Sequence, residues 1–348
     1  MSISGKLAGL TVAALLASNS LNAATLLVAN KAEATVSLVD LGSGKVAATL
    51  PVGTGPHEIA VSPDGKLALV ANYGTGPAPG SSLTVLDVPG AKVVKTIDLG
   101  EYRRPHGMVF LDNRRALVTS EASKSLLEVD VEAGKVARAV PTGQEVSHMV
   151  AVTPDGSRAF VANIGSGSMT AVDLKAGKSL GDVKTGAGAE GIEVTPDGRQ
   201  VWVTNREADT VTVVDTKTLE ILGSVPSASF PIRAKATPDG KHVLVSNAKS
   251  GDLSVFSVAD RKLARRVALP VKSAADQEGR LMGAFGDSSV PIGILIEPGG
   301  QRAFVAHANG DAISIVDLGK WERAGSLTAG KEPDGMGYSK LDVKKAGG

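Results

Sequence analysis

The sequence predicts an all-β fold, a seven-bladed β-propeller with four strands per blade, and three observations carry that prediction. A ten-residue unit recurs at near-constant spacing, strand-like alternation follows each copy, and the two chain ends are out of phase as a closed ring requires. The unit Pro56-His57-Glu58-Ile59-Ala60-Val61-Ser62-Pro63-Asp64-Gly65 returns as Ser147-His148-Met149-Val150-Ala151-Val152-Thr153-Pro154-Asp155-Gly156, then from Ala189 to Gly198 and from Pro231 to Gly240. Weaker copies begin at Pro105, Pro291 and Pro333, and the starts at 147, 189 and 231 lie 42 residues apart.

Each unit reads as four short strands. The first is the apolar run before the Pro-Asp-Gly turn, such as Ile59 to Val61. The second ends in Val-Ala-Asn or a variant of it, at Asn30, Asn72, Ser120, Asn163, Asn205, Asn247 and His307. The third alternates strictly, as in Thr210-Val211-Thr212-Val213-Val214-Asp215, and the fourth follows a polar turn, as in Lys45 to Leu50. Alternation of period two, bounded by Gly, Pro, Asn and Asp, is the pattern of half-buried strands. The chain enters at a second strand and leaves after a first strand, Gly335 to Ser339, so the two ends are expected to share one blade. Such closure removes the open edges on which sheets aggregate.

The first residues are set apart from this fold. Lys6, an apolar run from Leu7 to Ala17, and small residues up to Ala23 read as a secretory leader over 1–23, leaving the propeller over 24–348. The run is too short for a lasting membrane span, and no later segment is long enough either. With no cysteine there is neither a disulfide framework nor a thiolate metal site, and a periplasmic location is expected. Lys+Arg of 37 against Asp+Glu of 36 gives no basic field for nucleic acid, and six Phe, three Tyr and two Trp give little to stack bases on. A monomer is expected, with a small ligand or a periplasmic protein as partner.

Val-Ala-Asn, Thr-Val-Thr-Val-Val-Asp and Thr-Pro-Asp-Gly together resemble the YVTN β-propeller repeat family over nearly the whole chain after the leader. The resemblance implies that the strand opening Pro-His-Glu is innermost and that its first residues line one mouth of the channel. Around the ring that position reads His57, His106, His148, Glu190, Ile232, Ile292 and Asp334. Three of the five histidines fall on consecutive copies, whereas two later copies carry isoleucine, so the repeat alone does not call for histidine there.

Imidazoles and a carboxylate converging from neighbouring blades suit a divalent transition metal, zinc or copper, with His57, His106, His148 and Glu190 as the expected ligands. The same groups suit acid–base chemistry near neutral pH, and a plainer alternative has each histidine capping a strand start. Glu58, Arg233, His307 and Asp334 complete the expected binding set, with Arg233 aimed at a bound anion or carbonyl and His307 extending the cluster. His242, after a Pro-Asp-Gly-Lys turn, is expected on the opposite face. Two insertions, Tyr73 to Gly80 and Arg266 to Val290, are expected to emerge on the histidine face.

The leading expectation is a periplasmic binding or accessory protein that holds a metal ion or small ligand at the histidine-lined mouth. A lactonase- or hydrolase-type enzyme using the same ring is the alternative, by partial resemblance to sugar-lactone lactonases, and a protein-interaction scaffold is the third. Phosphate-loop, nucleophile-elbow and His-Glu-x-x-His patterns are absent from the sequence.

Overall fold

The computed structural model describes residues 24–276, 280 and 283–344; the leader expected over 1–23 lies outside them. Among the described residues seven sheets of four strands each stand around a common axis, with their inner strands in mutual contact. The inner strands are Pro56–Val61 in blade 1, Pro105–Phe110 in blade 2, Ser147–Val152 in blade 3 and Ala189–Val194 in blade 4. Pro231–Ala236, Pro291–Ile296 and Pro333–Ser339 open blades 5, 6 and 7. Helix is confined, among these residues, to two single 3-10 turns, Lys31–Glu33 and Gly283–Phe285.

Blade 7 closes the ring as the repeat phase requires. Pro333–Ser339 from the C-terminal end pairs antiparallel with Thr25–Asn30, with Thr25 opposite Ser339 and Val28 opposite Met336. Thr25 Oγ1 also donates to the Leu341 carbonyl at 2.8 Å.

The core lies between blades rather than at the axis. Leu69, Leu83 and Ile97 of blade 1 meet Val118, Leu127 and Val129 of blade 2, and Trp202, Phe160, Phe256 and Phe304 are fully buried in equivalent layers. Alternation in the second and third strands sends apolar side chains to both flanking blades, which is why these strands are buried on both faces.

Near the axis the packing depends on small residues. The position after the ring residue reads Glu58, Gly107, Met149, Gly191, Arg233, Gly293 and Gly335, alternating large and small almost completely. A Cβ on Gly107 would stand 2.7 Å from the His148 carbonyl oxygen, and one on Gly335 would stand 2.6 Å from Glu58 Cα. Glycine there lets one inner strand press on the next, while Glu58, Met149 and Arg233 between them line the channel.

Two backbone features recur in every blade. The residue before each inner strand has positive φ: Gly55, Arg104, Val146, Gly188, Phe230, Val290 and Glu332. Its carbonyl accepts from the residue just past the second strand, at 2.8 to 3.2 Å, in all seven copies. The pairing register then shifts across the ring position, for example between Pro56 and Ile59 and between Ser147 and Val150. A β-bulge of this kind turns a side chain out of the sheet plane, here toward the axis.

Candidate functional site

The bulges place the seven ring residues in one layer, and the bonds to the left-handed residues place a second layer beside it. That second layer reads Lys31, Tyr73, Glu121, Ile164, Arg206, Ala248 and Ala308. The two layers enclose a cavity of about 300 Å³ that includes His57, His106, His148, Glu190 and Asp334 from the first layer and Tyr73, Glu121 and Arg206 from the second. The cavity has two sectors. Blades 7, 1, 2, 3 and 4 supply most of the polar groups, joined by Arg233 of blade 5, whereas Ile232 and Ile292 of blades 5 and 6 form an apolar wall packed with Ala248, Ala308, Val290 and Phe230.

His106 stands at the centre of the polar sector. Its ring centroid is 3.7 Å from that of His148 and 4.8 Å from that of His57, and it is only 2% exposed. Its Nδ1 is buried without a hydrogen-bond partner. Burial, then the neighbouring His148 and His57, push its pKa well below the usual histidine range, so it is neutral with a lone pair to offer.

His148 is bound on both sides. Nδ1 makes a very short contact with Glu121 Oε1, and Nε2 lies 3.3 Å from Glu190 Oε1. Burial acts to lower its pKa, but the Glu121 and Glu190 carboxylates outweigh burial and raise it. Burial likewise acts to raise Glu121, and the His148 bond overcomes it, so Glu121 stays ionised below the usual carboxylate value. Tyr73 Oη donates to Glu121 Oε2 at 2.5 Å and accepts from Arg104 Nη1 at 3.0 Å. Burial and the Glu121 charge push the Tyr73 phenol up to about 12, keeping it protonated as the donor.

Glu190 is held by cations. Arg206 Nη1 donates to its Oε2 at 2.8 Å and Arg233 Nη1 to its Oε1 at 3.2 Å. Burial is offset by the His148 bond and these two charges, and the Glu190 pKa falls to about 2. Arg233 also donates through Nη2 and Nε to Glu58 Oε1, at 2.7 and 3.2 Å. His57 Nδ1 lies 2.9 Å from Asp334 Oδ2 in a buried pair.

The structure thus brings His57, His106, His148, Glu190 and Asp334 into one cavity, and Arg233 lines both it and a second channel cavity of about 250 Å³ in which Glu58 stands. Two expectations need correction. Arg233 is not left free for a bound anion or carbonyl, because its guanidinium is bonded to Glu58 and Glu190. His307 does not extend the cluster. Its Nδ1 lies 2.8 Å from Ser289 Oγ and its Nε2 2.9 Å from Ser314 Oγ, in the interior of blade 6.

His307 instead does the task of asparagine in other blades, where Asn205 Nδ2 donates to Thr210 and Thr212 at 3.0 Å and Asn163 Nδ2 to Thr170 at 3.0 Å. His242 meets Trp321 edge to face with ring centroids 4.9 Å apart, away from the cavity.

Glu121 and Tyr73 were not singled out by the ring position, yet Glu121 completes the tightest donor cluster. One ligand atom each from His106, Glu121 and His148 lie within 4.8 Å of one another, all three residues buried. Their signal in the sequence is the residue directly after each second-strand motif, which varies around the ring as freely as the histidine position does.

The insertions also resolve. The first is a hairpin extension rather than a loose loop, with Leu67–Gly74 and Pro79–Asp87 pairing out to Gly74 opposite Pro79. It carries Tyr73, and Arg104 Nη2 fastens it through the Gly76 carbonyl at 3.0 Å. In the second, residues up to Ala268 finish an outer strand, and Phe285 packs on Phe230 at 4.8 Å against the apolar sector. Both flank the histidine mouth.

A closed propeller whose one mouth holds a buried, mixed set of imidazoles and carboxylates is the class of protein that the fold and site define. The chain belongs to the YNCE-like β-propeller family, which matches residues 9–116 and 116–276. Among solved structures it is similar to hydrazine synthase of Kuenenia stuttgartiensis, at 18% identity over 84% of this chain and 92% of that one, with a TM-score of 0.67. At that identity the likeness concerns the fold alone. No curated protein matches the sequence significantly. Among the described residues no helix is long and apolar enough to cross a membrane.

Proposed function

We propose that the chain is an exported, periplasmic binding protein that holds a metal ion or a small ligand in the cavity at the histidine mouth. The observation that carries this reading is His106, a buried neutral imidazole whose Nδ1 has no partner within the protein while it faces a cavity of about 300 Å³. A buried polar atom without a partner costs on the order of 1–3 kcal/mol, so the arrangement suits a protein completed by what it binds. Export rests on the leader pattern over 1–23, and the YVTN-type repeat motifs fit such an exported propeller. The hydrolase alternative had Arg233 steadying the oxyanion, and Arg233 is committed to two carboxylates, so binding is the preferred reading.

The test is thermal unfolding against a panel of metal salts, organic acids and lactones, with wild type beside His106→Ala. A ligand present at 100 times its dissociation constant adds about 2.7 kcal/mol of stability. A compound that raises the wild-type midpoint and leaves the variant unmoved supports the reading. A panel in which both proteins respond alike to every compound overturns the assignment of this cavity.

A further inference from the structure

We propose that the ion is bound by His106, Glu121 and His148, as a divalent transition metal, zinc or copper. This inference rests on the reading of the mouth as a binding site and names its ligand. It differs from the quartet expected from the sequence, because Glu190 is occupied by Arg206 and Arg233 while Glu121 reaches the imidazoles.

Three arguments lead there. The first is donor placement: atoms of His106, Glu121 and His148 lie within 4.8 Å of one another, held by two kinds of backbone device. His106 and His148 sit on bulges of blades 2 and 3, whereas Glu121 is fixed through its N–H to the Arg104 carbonyl at 3.1 Å. Two nitrogens and one carboxylate oxygen are an ordinary set for zinc or copper, and three protein ligands leave a position open for water or a further ligand.

The second argument is the shell around the donors. In metal sites a ligating histidine gives its other ring nitrogen to a carboxylate, and a ligating carboxylate is itself hydrogen-bonded. Both features are present. His148 gives Nε2 to Glu190, itself fixed by Arg206 and Arg233, which leaves Nδ1 as its ligand atom, where a metal would take the place of the direct contact with Glu121 Oε1. Glu121 has His148 at Oε1 and Tyr73 at Oε2, and Tyr73 is in turn fixed by Arg104.

The third argument is the contrast with His307, deeply buried in blade 6. His307 has a serine hydroxyl at each nitrogen and is complete within the protein. His106 is as deeply placed, with Nδ1 buried and unpartnered, and the protein supplies nothing else for it.

The test is calorimetric titration of the chelator-stripped full chain with Zn²⁺ and separately with Cu²⁺. Wild type is set beside Glu121→Gln, Tyr73→Phe and, as a distant control, His307→Asn. Circular dichroism of each variant without metal confirms folding. One equivalent of metal is expected in wild type and in His307→Asn, with affinity reduced about 100-fold or more in Glu121→Gln. Tyr73→Phe removes only the outer contact and is expected to lose about 10- to 100-fold. With Cu²⁺ bound, the electron paramagnetic resonance signal of wild type should show two nitrogen couplings, and His106→Ala one.

Equal affinity in wild type and a folded Glu121→Gln overturns the assignment to these three residues. Absence of Zn²⁺ and Cu²⁺ binding in wild type, while an organic compound still stabilises it through His106, overturns the metal and leaves the binding reading intact. Absence of both overturns both.

Discussion

The two faces of the ring are built from the same repeat and treat it differently. On the face of the Pro-Asp-Gly turns, Thr153, Thr195 and Thr237 each donate Oγ1 to the turn aspartate, Asp155, Asp197 or Asp239, at 2.6 Å, and Ser62 does the same to Asp64 at 2.7 Å. On the mouth face a left-handed residue and a bulge recur in every blade, yet the side chains borne on them change from imidazole and carboxylate to isoleucine around the ring. Architecture therefore accounts for these four turns of the first face. It accounts only for the positions, not the residues, of the second, and the excess of buried charge there calls for a role beyond holding the ring together.

The largest break in that comparison is expected at Arg233. Its guanidinium is buried between Glu58 and Glu190, and those two carboxylates with Asp334 outweigh burial to hold it charged. Removing one partner of a buried ion network leaves the others uncompensated, at a cost of about 3–5 kcal/mol. Arg233→Ala should therefore lose roughly that much stability in urea unfolding. Pairing it with Glu58→Gln should recover part of the loss. A single variant that unfolds at the wild-type midpoint would mean that the mouth network is solvated in solution and that the faces differ less than their geometry implies.

Much of this was legible in the chain. The 42-residue spacing fixed the blade, the out-of-phase ends fixed the closure, and reading one repeat position around the ring brought together His57, His106, His148, Glu190 and Asp334. What was not legible follows from distance. Arg233 and Glu58 are 175 residues apart and meet only because both point down the same axis, so no local pattern announces their bond. Glu121 escaped because it stands one residue past a strand motif, where the repeat prescribes a backbone bond and leaves the side chain free.

His307 was misread for a different reason. Its replacement of asparagine looked like a departure, although a hydroxyl seven residues on, Ser314, stands where Asn163 and Asn205 find Thr170 and Thr212.

That histidine provides the next test, through pH. Burial, then the charge of Arg323, bring its pKa down to about 3 in the folded protein, against about 6.5 for an unfolded chain. Below pH 6.5 the unfolded chain takes up a proton that the folded chain refuses, so this residue's contribution is intact above about 6.5 and is lost as pH falls toward about 3. His307→Asn removes that proton uptake. The gap between variant and wild type should shift in the variant's favour by on the order of 3 kcal/mol between pH 7 and pH 4. Parallel pH profiles of urea unfolding would show that His307 is not sealed as the serine bonds imply, and that its blade interior is as open as the mouth.

The smallest effect is expected on the uniform face, and there it sharpens the comparison. Thr237 is buried, donates Oγ1 to Asp239 at 2.6 Å and accepts from the His242 N–H at 3.0 Å. Thr237→Ala removes this one turn lock of several like it, so the loss should stay near 1 kcal/mol in urea unfolding. Because the turn lies at the far end of the inner strand from the bulge, binding at the mouth should not change. If Thr237→Ala instead weakened the response of the mouth to its ligand, the inner strand would be transmitting strain along its length. The two faces would then have to be regarded as one mechanical unit, with the uniform turns setting the geometry of the variable ring.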